Sequence, residues 1–123
     1  GDWQKPFIPP KELDWLKNTL ENSPHPCILF VHHPLYAYVK NGHSYHVVNH
    51  KEIRAVLEAS GKVISVINGH MHEEMFHELN DIRYFALNSM LEGTFVQRNC
   101  FYVLEILPDQ ILIDRYERFN TLD

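Results

Sequence analysis

The sequence has little of what several classes of protein require. Its 11 Lys and Arg stand against 16 Asp and Glu, which gives a formal net charge of −5 at pH 7. That balance argues against a protein that binds the phosphate backbone of nucleic acid, because such proteins need a basic patch. No apolar run approaches the ~20 residues that cross a bilayer, and no basic-then-apolar leader opens the sequence. We therefore expect a soluble protein with no nucleic-acid or membrane partner; its compartment stays open.

Cysteine is also scarce. Cys27 and Cys100 lie far apart in the chain, and neither belongs to a Cys-x-x-Cys pair, so neither a disulfide framework nor a cysteine zinc site is predicted. At 123 residues the chain is long enough to bury a core without such crosslinks. We predict a single domain over residues 1–123.

Histidine, in contrast, is abundant and unevenly placed. All nine histidines lie between His25 and His77, which points to a localised site rather than a general bias in composition.

The first half of the chain has the pattern of a βαβ unit. A helix with a stripe of Leu13, Leu16 and Leu20 precedes a buried strand over residues 27–32. A second helix begins at an Asn49 cap, with Glu52 in a capping box, and ends at Gly61, followed by a strand over residues 63–67. Two strands joined by a crossover that contains a helix are expected to be parallel.

The remaining segments complete a predicted α/β fold. Two β-hairpins are predicted, one over residues 75–87 around Asn80-Asp81 and one over residues 101–116 around Pro108-Asp109. Residues 36–48 show no clean period and are predicted as a loop, longer than most connections.

Histidines follow both strands of the βαβ unit. The first strand leads into His32 and His33, and the second leads through Gly69 into His70 and His72. The carboxyl ends of parallel strands meet at one edge of a sheet, where open α/β folds bind their ligands. A His-x-His pair can chelate one ion or supply two neighbouring ions. We expect Gly69 to allow the sharp turn that brings both imidazoles together.

Three segments carry a resemblance to a known family. Leu-Asp-Trp-Leu (13–16), Phe-Val-His-His-Pro-Leu-Tyr (30–36) and Gly-His-Met-His (69–72) resemble, in order and spacing, the C-terminal half of the calcineurin-like metallophosphoesterases. The resemblance covers roughly residues 11–90. It implies the C-terminal half of an α/β/β/α sandwich, consisting here of the parallel βαβ unit and two hairpins.

The resemblance also implies ligands and chemistry. His32 and His70 would bind one divalent ion and His72 another, while His33 occupies the variable position before the proline. Two ions, with Zn, Fe or Mn as candidates, would supply a metal-activated hydroxide that hydrolyses phosphate mono- or diesters. His43 and His46 correspond to positions that protonate the leaving group or contact substrate. The implied substrate is a phosphorylated small molecule, with a nucleotide-like one as a candidate.

The chain departs from the family in its first half. The family's Asp-x-His, Gly-Asp-x-x-Asp and Gly-Asn-His motifs are missing. We therefore expect the C-terminal portion of a larger catalytic domain, whose N-terminal half is its partner. Alone it should bind at most one ion weakly and be inactive, and its uncovered apolar strands favour a homo-oligomer. The alternative is a non-catalytic metal-binding or protein-interaction module of the same fold.

Overall fold

The computed structural model describes residues 5–89 and 98–119, with side chains over residues 5–89 and 100–117. In chain order the elements are α1 (Pro10–Asn22), β1 (Cys27–Val31), β2 (Val39–Lys40), β3 (His43–Ser44), α2 (His50–Ser60), β4 (Val63–Asn68), β5 (Met75–Leu79), β6 (Ile82–Ala86), β7 (Arg98–Ile106) and β8 (Ile111–Phe119). Within these ranges, no helix is long and apolar enough to cross a membrane.

The main sheet has four strands in the order β1-β4-β6-β5. β1 runs parallel to β4, with Val31 opposite Asn68 at the end of the pairing. β5 and β6 form an antiparallel hairpin, and β7 and β8 form another. These pairings confirm the predicted α/β class, the parallel βαβ unit and both hairpins. The first hairpin also joins the main sheet, because β6 pairs parallel with β4.

Both helices cover one face of this sheet. Leu16 and Leu20 of α1 and Ile53 and Leu57 of α2 are buried in the core, which continues to the fully buried Tyr84 of β6. The periodic apolar stripe of each helix therefore faces the sheet, as an amphipathic helix requires. Gly61 ends α2 in the left-handed conformation, with φ +63, and confirms the predicted cap.

The other face of the sheet is here called the open face. The strand register places there the apolar side chains of Ile28, Phe30, Ile67, Phe76 and Phe85, together with the polar Ser65 and Arg83. Phe30 is 66% exposed and Phe76 55%. The expectation that the first strand is buried is wrong for this face, since the helices cover only the opposite one. The β7–β8 hairpin borders the open face across a cleft of about 990 Å³.

Two local predictions are corrected. Residues 36–48 are not an irregular loop throughout, because β2 and β3 pair around Asn41 and Gly42, both with positive φ, the backbone that tight hairpin turns require. Asn49 precedes α2 but makes no side-chain cap bond. Its amide group instead pairs with the backbone N–H and carbonyl of Ile8, so it holds the segment before α1 against α2.

Candidate metal centre

The two histidine-bearing turns lie side by side at the carboxyl edge of the sheet. Since Val31 ends β1 opposite Asn68 at the end of β4, the next residues, His32 and Gly69, also become neighbours. The N–H of Gly69 donates a hydrogen bond to the carbonyl oxygen of His32 over 3.2 Å. The parallel ladder therefore continues one step into the turns and fixes one against the other.

The two turns bring three imidazole rings close together. The ring centroids of His33 and His70 are 4.2 Å apart, those of His32 and His33 are 4.8 Å apart, and those of His32 and His70 are 5.1 Å apart. One ring nitrogen from each of the three residues lies within 4.8 Å of the others. We call these three residues the imidazole cluster. His32 is exposed, while His33 and His70 are half-buried.

The turn after β4 has an unusual backbone. His70 has φ +65 and His72 has φ +56, a left-handed conformation that costs non-glycine residues free energy. The expectation that Gly69 makes the turn is wrong, because its φ is not positive and a Cβ there would meet nothing within 4 Å. Met71 stands between the two histidines in the chain. Its side chain is buried in the core and anchors the turn there.

Burial and mutual repulsion favour the neutral form of His33 and His70. Desolvation is the main cause that lowers the pKa of His70, followed by the charges of His32 and His72. Desolvation, then the charges of His70 and His32, lowers the pKa of His33. The neutral imidazole is the form that binds metal, so this environment favours the ligand form of both rings.

His72 lies on the same turn but outside the imidazole cluster. It is exposed, and its charge contributes to the lowered pKa of His70. Of the three ligands that the resemblance implies, the structure therefore brings His32 and His70 into one cluster and places His72 beside it.

His43 and His46 lie on or next to the β2–β3 hairpin. His43 is exposed. The backbone N–H of Tyr38 donates to Nδ1 of His46 over 3.0 Å, and the His46 ring packs edge-on against His50 at 4.9 Å. The structure brings neither His43 nor His46 into the imidazole cluster.

The other histidines occupy varied environments. His25 is exposed, and His50 begins α2. His77 is half-buried in β5, where its ring packs against Tyr36 at 4.8 Å. Tyr36 itself is buried, so it contributes to packing.

The sequence did not predict two contacts that the carboxylate of Glu73 makes. The carboxylate of Glu73 accepts a 2.6 Å hydrogen bond from the hydroxyl of Tyr38 and pairs with the ammonium group of Lys40. These contacts raise the pKa of Lys40 and of Tyr38 and lower that of Glu73. Glu73 thus links the turn after β4 to the β2–β3 hairpin, and no local pattern identifies a partner more than 30 residues away.

The cluster has the donor chemistry of a transition-metal site. Three neutral imidazoles suit Zn, Cu, Ni or Fe better than Mg or Ca, which prefer oxygen ligands. Within the described residues, the cluster contains no carboxylate. These residues therefore fit one such ion, but they lack the bridging carboxylate of a tight dinuclear centre.

Comparison with known proteins gives a likeness in fold. No protein-family model matches the sequence, and no curated protein matches it. Among solved structures, the chain is similar to a dimetal phosphatase from Danio rerio, with a TM-score of 0.74 and 17% sequence identity. The match covers 93% of this chain and 39% of that chain. The fold is thus that of part of a dimetal phosphatase, and the chain spans well under half of that protein's length.

Proposed function

We propose that the chain is the C-terminal portion of a calcineurin-like, metal-dependent phosphoesterase that hydrolyses phosphate mono- or diesters. The observation that carries the proposal is the convergence of His32 and His70 at the carboxyl edge of a sheet whose fold matches part of a dimetal phosphatase. Ligand sites of open α/β folds lie at this edge.

The metal ligands that we propose are those that the resemblance to the family implies. His32 and His70 would hold one divalent ion, and His72 would contribute to a second, with its other ligands outside this chain. When bound, such ions lower the pKa of water and neutralise charge on the phosphoryl oxygens. The chain itself supplies the positioning: the Gly69–His32 hydrogen bond and the buried Met71 hold the two turns in place.

His43 and His46 remain the candidates for substrate contact or leaving-group protonation. His43 is exposed on the β2–β3 hairpin, which Glu73 ties to the turn after β4, and an exposed imidazole can act as a general acid. His46 is the more constrained of the two, because the Tyr38 N–H occupies its Nδ1. We propose a phosphorylated small molecule as substrate, with nucleotide-like compounds as the first to test.

The open face supports the proposal of a missing half. Phe30 and Phe76 are more than half exposed, and apolar surface of this kind marks an interaction site. In the complete protein we propose that this face packs against the N-terminal half of the same domain, which would also supply the carboxylates that the imidazole cluster lacks.

The all-imidazole donor set favours a second candidate, a non-catalytic metal-binding or protein-interaction module of the same fold. Such a module needs one ion and no bridging carboxylate, which is what the described residues offer. The two candidates differ in what precedes Gly1 in the gene. Asp-x-His and Gly-Asn-His motifs encoded there in frame would support the enzyme, and an immediate initiator codon would support the module.

The decisive experiment assays the complete gene product with aryl phosphate mono- and diesters in the presence of Zn²⁺, Fe²⁺ or Mn²⁺. We expect turnover that His70→Ala and His72→Ala each abolish while the circular dichroism spectrum is unchanged. The 123-residue chain alone should be inactive. Substantial turnover by this chain at stoichiometric metal would contradict a site built from two halves, and a complete protein that binds metal without turnover would favour the module.

A further inference from the structure

We infer that His33 joins His32 and His70 to form a three-imidazole site that binds a single Zn²⁺-class ion on this chain by itself. In the ligand set that the resemblance implies, His33 only separates a ligand from a proline. The inference goes beyond the proposed function, since it holds whether or not the complete protein hydrolyses phosphate esters.

The geometry of the three rings carries the inference. Nitrogens that share one tetrahedral zinc ion at ~2.0 to 2.1 Å lie roughly 3.3 Å apart. One nitrogen of each ring already lies within 4.8 Å of the other two. Of the other two rings of the imidazole cluster, His33 is nearer to His70, at 4.2 Å between centroids against 5.1 Å for His32, so it is at least as well placed as His32 to share an ion with His70. Small rotations of the side-chain torsions close the remaining gap.

The chain bends where these rings converge. Consecutive residues of an extended strand point to opposite sides, but β1 has ended at Val31, and His32 and His33 form a bend before the buried Pro34. Two adjacent imidazoles can then share one side. The hydrogen bond from Gly69 to His32 holds this bend against the turn that carries His70, so the scaffold fixes the cluster before metal binds.

The donor set selects the kind of ion. Three imidazoles with no carboxylate among the described cluster residues favour Zn²⁺, Cu²⁺ or Ni²⁺ over Mg²⁺ and Ca²⁺. Three protein ligands leave the fourth position of a tetrahedral ion open, as in zinc sites that bind a further ligand. His32 is exposed, which gives the ion a path from solvent.

The test titrates Zn²⁺, and Co²⁺ as its spectroscopic substitute, into the 123-residue chain. We expect one equivalent to bind, with the visible absorption of tetrahedral Co²⁺. His33→Gln should weaken binding at least roughly tenfold, a loss already seen when only a ligand-orienting group is removed. The matched variant His25→Gln, at an exposed histidine that precedes β1, should leave the affinity unchanged. Loss of binding in His72→Gln with His33→Gln unaffected would overturn the inference, as would absence of stoichiometric binding.

A second measurement uses the unaltered chain, in case His33→Gln disturbs the fold. Ring-nitrogen NMR shifts recorded before and after addition of Zn²⁺ should move for His32, His33 and His70 together. An unmoved His33 ring at saturating Zn²⁺ would overturn the inference. Because neither readout involves hydrolysis, an inactive complete protein that still binds zinc through His33 would refute the proposed function and leave this inference intact.

Discussion

The N–H of Gly69 donates to the carbonyl oxygen of His32 over 3.2 Å, immediately beyond the last paired residues of two parallel strands. This contact makes the candidate site a continuation of the sheet rather than a feature of two independent loops. The ladder fixes the backbone of His32 against that of Gly69, the residue before His70, and metal ligands need such support from rigid elements.

The left-handed backbone at His70 gives a prediction about stability. At φ +65 a side chain costs about 1 kcal/mol that glycine avoids. We expect His70→Gly to be more stable than His70→Ala by about 1 kcal/mol in urea unfolding. Inside a helix alanine is more stable than glycine. Ala55→Gly at an exposed position of α2 should therefore lower the free energy of unfolding by about 1 kcal/mol. A His70→Gly variant less stable than His70→Ala would contradict the left-handed turn.

Burial of His50 predicts acid sensitivity. His50 is 7% exposed, and desolvation, then the charges of His46, Arg54 and Lys51, lowers its pKa below the ordinary 6.5. The unfolded chain therefore takes up this proton more readily than the folded chain does. The stability linked to His50 is fully present above pH 6.5 and is lost as the pH falls through the lower folded value.

The measurement is the free energy of unfolding as a function of pH. We expect His50→Phe to make the decline below pH 6.5 shallower, because that variant cannot bind the proton, while His25→Gln at an exposed position leaves the slope unchanged. An unchanged slope in His50→Phe would show that burial of this ring is not the cause.

Much of this architecture follows from local sequence signals. The apolar stripe of α1, the run that forms β1 and the Gly61 cap are patterns within a few residues, so they predicted the elements and the parallel pairing. β2 and β3 were missed because strands of two residues have no period, although Asn41-Gly42 is a hairpin signal in itself.

The same local signals could not predict contacts between segments that are distant in the sequence. Asn49 has the residue type and position of a helix cap, but its amide bonds Ile8, 41 residues away. The resemblance gives His33 only the variable position between a ligand and the proline. Only the bend after β1 brings it to His70, and no pattern of residue types encodes that bend.

The carboxylate of Glu73 should control the motion of the β2–β3 hairpin. It accepts a hydrogen bond from the hydroxyl of Tyr38 and forms an ion pair with Lys40. Within the hairpin, the N–H of Tyr45 donates a hydrogen bond to the carbonyl oxygen of Tyr38. In Glu73→Ala we expect amide hydrogen exchange at Tyr45 to become roughly three- to tenfold faster, since exposed ion pairs are weak but local opening is sensitive to them. Global stability should change little.

Glu78→Ala is the matched control, because Glu78 is an exposed carboxylate on β5, away from the hairpin. It should leave exchange at Tyr45 as in the parent chain. Equal acceleration by both variants would mean that general charge, not the contact with Tyr38 and Lys40, sets the hairpin's motion.

The open face predicts that the isolated chain associates with itself. Phe30 and Phe76 are 66% and 55% exposed on one side of the main sheet, and each buried phenylalanine contributes about 1.5 to 3 kcal/mol. Sedimentation velocity should therefore show concentration-dependent association, which Phe30→Lys with Phe76→Lys weakens at least about tenfold. Trp15→Lys tests specificity: Trp15 is 62% exposed but belongs to α1, on the opposite side of the sheet. If Trp15→Lys disrupts association and the double variant does not, the contact lies on the helical side. A monomer at every concentration would show that the β7–β8 hairpin alone protects the open face.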